Sequence, residues 1–175
     1  MMNAGVLKVV AKGDREIIGT REFNAPRTMV WDAFTKPELL KRWFLGPDGW
    51  ELTVCDIDLR VGGAYRYVWY RELDKVSMGM GGVYREIAEP KKLVTTEKFD
   101  QAWYPGGMVG TLDLAEKGEK GERSAITHTF VYDTKEARDM VLQSPMEQGM
   151  AAGYERMDVF LATMVAEAGK KENAS

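Results

Sequence analysis

One histidine and one carboxylate carry most of the chemistry this sequence could perform. Along residues 125–132, Ile126, His128, Phe130 and Tyr132 alternate with Thr127, Thr129 and Val131. In a strand the more apolar set faces the interior, so the chain's single histidine is expected there. An imidazole in such a place can bind a ligand oxygen or exchange a proton near neutral pH. Glu97 is placed in the same way, sharing a face with Leu93, Thr95 and Phe99. A buried carboxylate needs a partner, and His128, Arg60, Arg66 or a ligand could supply one. Hairpins centred near residues 103 and 119 would set both groups opposite Gly110. Their Cα atoms would then be about 10 Å apart, with space for a ligand over the glycine. The competing roles are structural: a core histidine hydrogen-bonded to its surroundings, and a carboxylate in an ionic network.

The elements that must hold these groups are mostly strands. Residues 16–23 alternate as a strand, and Pro26 opens a helix carrying Met29, Val30, Ala33 and Phe34. Thr35-Lys36-Pro37-Glu38 has the pattern of a capping box for a second short helix. Strands are expected at 51–59, 64–71, 81–88, 92–100, 108–116 and 123–132, joined by turn-like breaks without crossover helices. Such a series forms an antiparallel meander. Gly62-Gly63 makes one of these turns, and Asp58 and Arg60 before it tie the strand end. After it Tyr65, Tyr67 and Trp69 share one face. Ser144-Pro145-Met146-Glu147 predicts the start of a helix running to about Ala166, with Met146, Met150, Met157, Leu161 and Met164 in one stripe.

Strand parity and the helical stripe define a candidate binding wall. The sheet contributes Tyr65, Tyr67, Trp69, Gly110, Leu112 and Phe130, and the helix Met146, Met150 and Met157. Aromatic rings there can stack on a flat ligand, and unbranched thioethers adapt to its shape, although both types also fill ordinary cores.

Composition narrows the function classes. The 175 residues are 45% hydrophobic and 29% charged, which fits one globular domain. A net charge of −3 gives no electrostatic case for nucleic acid or an anionic membrane. A lone cysteine, Cys55, makes no internal disulfide, and one histidine makes no multi-histidine metal site. The glycines at 79, 81 and 82 match no dinucleotide fingerprint, and no cofactor is expected. No apolar run suggests a signal peptide or membrane span, and a cytoplasmic location is expected. The domain is expected over 16–168, with residues 1–15 as an arm or extra strand and 169–175 as a flexible tail.

Several segments together resemble a known family. They are Phe23-Asn24-Ala25-Pro26, Trp31-Asp32-Ala33-Phe34-Thr35-Lys36-Pro37-Glu38, Trp43 and Asp58-Leu59-Arg60-Val61-Gly62-Gly63. Gly82-Val83-Tyr84-Arg85-Glu86-Ile87, Thr96-Glu97-Lys98-Phe99 and Gln148-Gly149-Met150 complete the set. Over about residues 16–165 the chain resembles the SRPBCC (START/Bet-v-like) superfamily, in the branch of activator of heat-shock protein 90 ATPase homologues. Members often carry Trp where this chain has Met150. The resemblance implies an α+β helix-grip fold: a seven-stranded antiparallel sheet around a long C-terminal helix, two short helices after the first strand, and an apolar cavity between. The superfamily holds carriers, receptors, cyclases and oxygenase subunits, so the fold does not choose the chemistry. Three readings stay open: binding of a small apolar or aromatic molecule, cyclase-like proton transfer by His128 and Glu97, and an interaction module with a chaperone partner. A homodimer also stays open.

Overall fold

The computed structural model describes residues 5–174. It is an α+β arrangement of eight strands and four helices: β1 (Lys8–Lys12), β2 (Glu16–Phe23), α1 (Arg27–Thr35), α2 (Pro37–Trp43), β3 (Trp50–Ile57), β4 (Ala64–Arg71), β5 (Val76–Ala88), β6 (Lys92–Phe99), β7 (Met108–Lys117), β8 (Arg123–Tyr132), α3 (Lys135–Gln143) and α4 (Met146–Ala174). All strands join one antiparallel sheet in the order β1-β2-β8-β7-β6-β5-β4-β3. Every neighbour is a sequential hairpin except β2 with β8, which brings the start of the chain against its last strand.

The sheet bends because bulges interrupt two pairings, between Leu52 and Val54 and between Tyr84 and Glu86. Its concave face receives α4 through Tyr154, Met157, Phe160 and Leu161, all buried. Gly153 lets α4 approach α2 closely, since a Cβ there would lie 3.3 Å from the Trp43 ring. Arg21 on β2 crosses to Asp158 on α4 with paired bonds of 2.7 and 2.6 Å. Only 5% of the Arg21 side chain and 26% of Asp158 remain accessible, so the pair pins the helix to the sheet in a largely dry setting.

Several expectations need correction. The sheet has eight strands, not seven, because residues 8–12 pair with β2 and extend one edge; residues 1–4 of the expected arm lie outside the described residues. The strand expected at 81–88 begins at Val76, because Gly79, Gly81 and Gly82 stay in register opposite Val68, Arg66 and Tyr65. At Gly82 a Cβ would collide with the Thr96 carbonyl oxygen, so this strand crossing requires glycine. Residues 135–143 form a separate helix, capped by Thr134, whose hydroxyl accepts from Ala137 N–H. Neither the capping box expected at Thr35 nor side-chain capping of α4 by Ser144 forms. Thr35 donates back to the Trp31 carbonyl, and Ser144 donates to Val141 at the end of α3. Helix α4 ends at Ala174, beyond the expected Ala166 and through most of the expected tail.

Candidate functional site

The concave face does not close completely on its helices. Between sheet, α2 and α4 lies a cavity of about 340 Å³. Its floor is the β4 ladder: Tyr65, Tyr67 and Trp69 all point inward and are at most 8% exposed. Their rings follow one another at centroid distances of 4.9 and 6.1 Å. Polar tips are used to fix the rings. Tyr65 Oη donates to the Thr96 carbonyl at 2.6 Å, and Trp69 Nε1 donates to the Phe44 carbonyl at 2.8 Å. The helices add Phe34, Trp43 and Phe44 from α1, α2 and the turn after α2, and Met146, Met150 and Tyr154 from α4.

Of the residues expected at the wall, Tyr65, Tyr67, Trp69, Glu97, Leu112, His128, Phe130, Met146 and Met150 line this cavity. Met157 does not; it is fully buried between α4 and the core. Gly110 sits in the wall behind the lining side chains, where a Cβ would meet His128 Nε2, Thr95 Oγ1 and Met108 Sδ at 3.5–3.6 Å.

The register corrects the expected pair. Gly110 stands opposite Thr95 and Phe130, not Glu97 and His128. Glu97 is opposite Met108, and His128 is opposite Leu112. A shift of two residues keeps both side chains on the inward face but separates them along β7 by four residues, about 13 Å. The β6–β7 pairing is centred between residues 102 and 103 and the β7–β8 pairing at residue 120, so both centres lie farther from β7 than a register with Gly110 opposite both groups requires. Direct proton exchange between the two groups is therefore not available.

Each group has its own surroundings. His128 is half-buried in the cavity wall, its ring tilted against Phe130 at 4.2 Å and edge-on to Phe34 at 6.4 Å. Burial pushes its pKa down to about 4, so the ring is neutral at pH 7. Its Nδ1 is sealed without a hydrogen-bond partner, which leaves Nε2, beside Gly110, as the nitrogen free to meet another molecule. Leaving a lone pair unmet costs less than leaving an N–H unmet, so the favoured tautomer presents Nε2–H.

Glu97 lies at the other end, where Tyr104 donates to Oε1 at 3.2 Å. Burial pushes its pKa up to about 7, against the lowering effect of that bond. Among the described residues no basic side chain forms an ion pair with it. The structural partners considered for it are engaged elsewhere: Arg60 with Asp58 at 2.8 Å and Arg66 with Asp100 at 2.6 Å, both at the surface. Tyr104 was not singled out from sequence. It lies in the β6–β7 connection, where no periodicity reveals which side a ring takes.

Other candidates are quiet. Burial raises Cys55 to about 11, so it remains a protonated core thiol. Among the described residues no group of three or more His, Cys, Asp or Glu could hold a metal ion, and no helix is long and apolar enough to cross a membrane.

The comparisons concern fold and family. The family described as activator of Hsp90 ATPase homolog 1-like protein matches residues 24–162. The crystal structure of a Rhodobacter sphaeroides protein is similar at 29% identity, with a TM-score of 0.83 over 90% of this chain and 99% of that one. Solution structures of an Arthrobacter aurescens protein (24% identity, TM-score 0.78, 90% and 92% covered) and a Staphylococcus epidermidis protein (25%, 0.75, 89% and 94%) share the fold. No curated protein sequence matches the chain.

Proposed function

We propose that this chain, which belongs to the activator of Hsp90 ATPase homolog 1-like family, binds a small, mainly apolar or aromatic molecule between its sheet and α4. The observation that carries the reading is the coexistence, in one 340 Å³ space, of an aromatic floor and a neutral histidine whose Nε2 no side chain among the described residues answers. Sites of this size with few, well-placed polar groups suit small organic ligands. His128 Nε2–H would donate to an acceptor on the ligand, while Tyr67, Trp69 and Phe44 cover its apolar body. Binding rather than turnover is supported by the separation of Glu97 from His128 and by the spent hydrogen bonds of Tyr65 and Trp69. Native mass spectrometry of the purified protein tests the reading through a co-purifying small molecule. Thermal shifts with neutral bicyclic aromatics, for wild type and His128→Leu, provide the second arm. A wild type that neither carries nor responds to any such compound would overturn it.

A further inference from the structure

The Glu97 end of the cavity has features that a purely apolar ligand leaves unused. Glu97 Oε1 accepts from Tyr104, and among the described residues no hydrogen bond is made to its other carboxylate oxygen. Around it stand Tyr65, Phe99, Trp103 and Tyr132, all cavity-lining, with Trp103 39% exposed where this end reaches the surface. Phe99 and Trp103 meet edge-to-face at 5.8 Å, and Tyr104 packs on Tyr132 at 5.4 Å. Among the described residues no lysine or arginine lines the cavity.

The geometry points to an organic amine as the ligand class, its ammonium group held by Glu97 within this ring of aromatic side chains and its apolar body directed toward His128. The inference rests on the binding role proposed above and deepens it. A carboxylate with one free oxygen gives an ammonium a charge-assisted hydrogen bond, and aromatic faces add attraction for the cation. An anionic ligand would meet that carboxylate with no cation to offset it, so fatty-acid-like molecules are disfavoured. A neutral ligand gains only the apolar contacts and the His128 bond. Burial already holds Glu97 near the midpoint of its titration at neutral pH, so an arriving ammonium completes its ionisation and displaces about half a proton per site to solvent at pH 7.

Three probes of one shape separate the cases: 2-naphthylmethylamine, 2-naphthalenemethanol and 2-naphthoate, titrated calorimetrically at pH 8 into wild type and Glu97→Gln. The amine should bind wild type at least about tenfold more tightly than the alcohol, as a charged hydrogen bond implies, and 2-naphthoate should bind weakest. In Glu97→Gln the amine advantage should fall to within about threefold, with the alcohol unchanged. Tyr104→Phe, which keeps the ring and the charge, should retain the preference and guards against a folding defect in the first variant. An amine no tighter than the alcohol, or a preference that survives Glu97→Gln, overturns the amine assignment while leaving the cavity reading in place. Failure of all three probes to bind wild type overturns both.

Discussion

Glu97 and His128 look into one cavity from the two sides of β7, the first opposite Met108 at its start and the second opposite Leu112 near its middle. Burial acts on both in opposite directions, raising the acid from 4.5 to about 7 and lowering the base from 6.5 to about 4. Each is thereby kept uncharged over the range where, in water, it would carry charge.

This opposition gives a pH prediction. Between pH 4.5 and 7 folded Glu97 holds a proton that the unfolded chain has lost, so its effect makes stability fall as pH rises. Between pH 4 and 6.5 unfolded His128 holds a proton that the folded ring refuses, so its effect makes stability rise with pH. Across 4.5–6.5 the two slopes offset one another. Relative to wild type, Glu97→Gln should gain stability progressively from pH 4.5 to 7, by roughly 3 kcal/mol at most. His128→Leu should gain it as pH falls from 6.5 to 4. Urea denaturation at half-unit pH steps checks both difference curves; parallel curves would show that neither group is perturbed.

At pH 7.5 His128→Leu should be as stable as wild type or about 1 kcal/mol more so, because the sealed Nδ1 makes no bond to lose. A decrease larger than about 1 kcal/mol would mean the imidazole has a structural partner.

The two glycines that face β6 should respond differently. Gly110→Ala places a methyl at ordinary contact distance from His128 Nε2 and should fold normally while weakening any ligand bonded there. Gly82→Ala drives a Cβ into the Thr96 carbonyl and should lower stability by about 2 kcal/mol or more. Thermal melts and the naphthalenemethanol titration distinguish them.

Asp158→Ala leaves Arg21 buried with one backbone acceptor, Glu22, and should cost roughly 3 kcal/mol. The double variant Arg21→Met/Asp158→Leu should recover most of that loss, since packing can replace a desolvated pair. Chemical denaturation of the three variants measures it.

The strands and their inward faces were legible because period-two alternation is local: Tyr65, Tyr67 and Trp69 point where parity puts them. The partner of each strand was harder. Placing Gly110 opposite Glu97 required the exact centres of two connections, and an error there slides every pairing without changing a face. The Ser144-Pro145-Met146-Glu147 pattern does not cap α4, because Ser144 both ends α3 and precedes α4 and its hydroxyl serves the earlier helix. Tyr104 was invisible because connections have no period to read. Glu97 and His128 themselves stood out as polar residues on apolar faces, the pattern that local parity reveals.

The β2–β8 pairing has a consequence for how the chain is made. Hairpin β1–β2 leaves the ribosome before the rest of the sheet, yet its partner, residues 124–131, follows roughly a hundred residues later. At about 5–20 residues per second, Ile17 and Phe23 wait on the order of 5–20 s for a sheet to join. Meanwhile β3 to β7 can assemble by adjacent hairpins. During synthesis the N-terminal hairpin is thus an unpaired edge, and substitutions that make residues 16–23 more apolar should be felt first as lower yield in the cell.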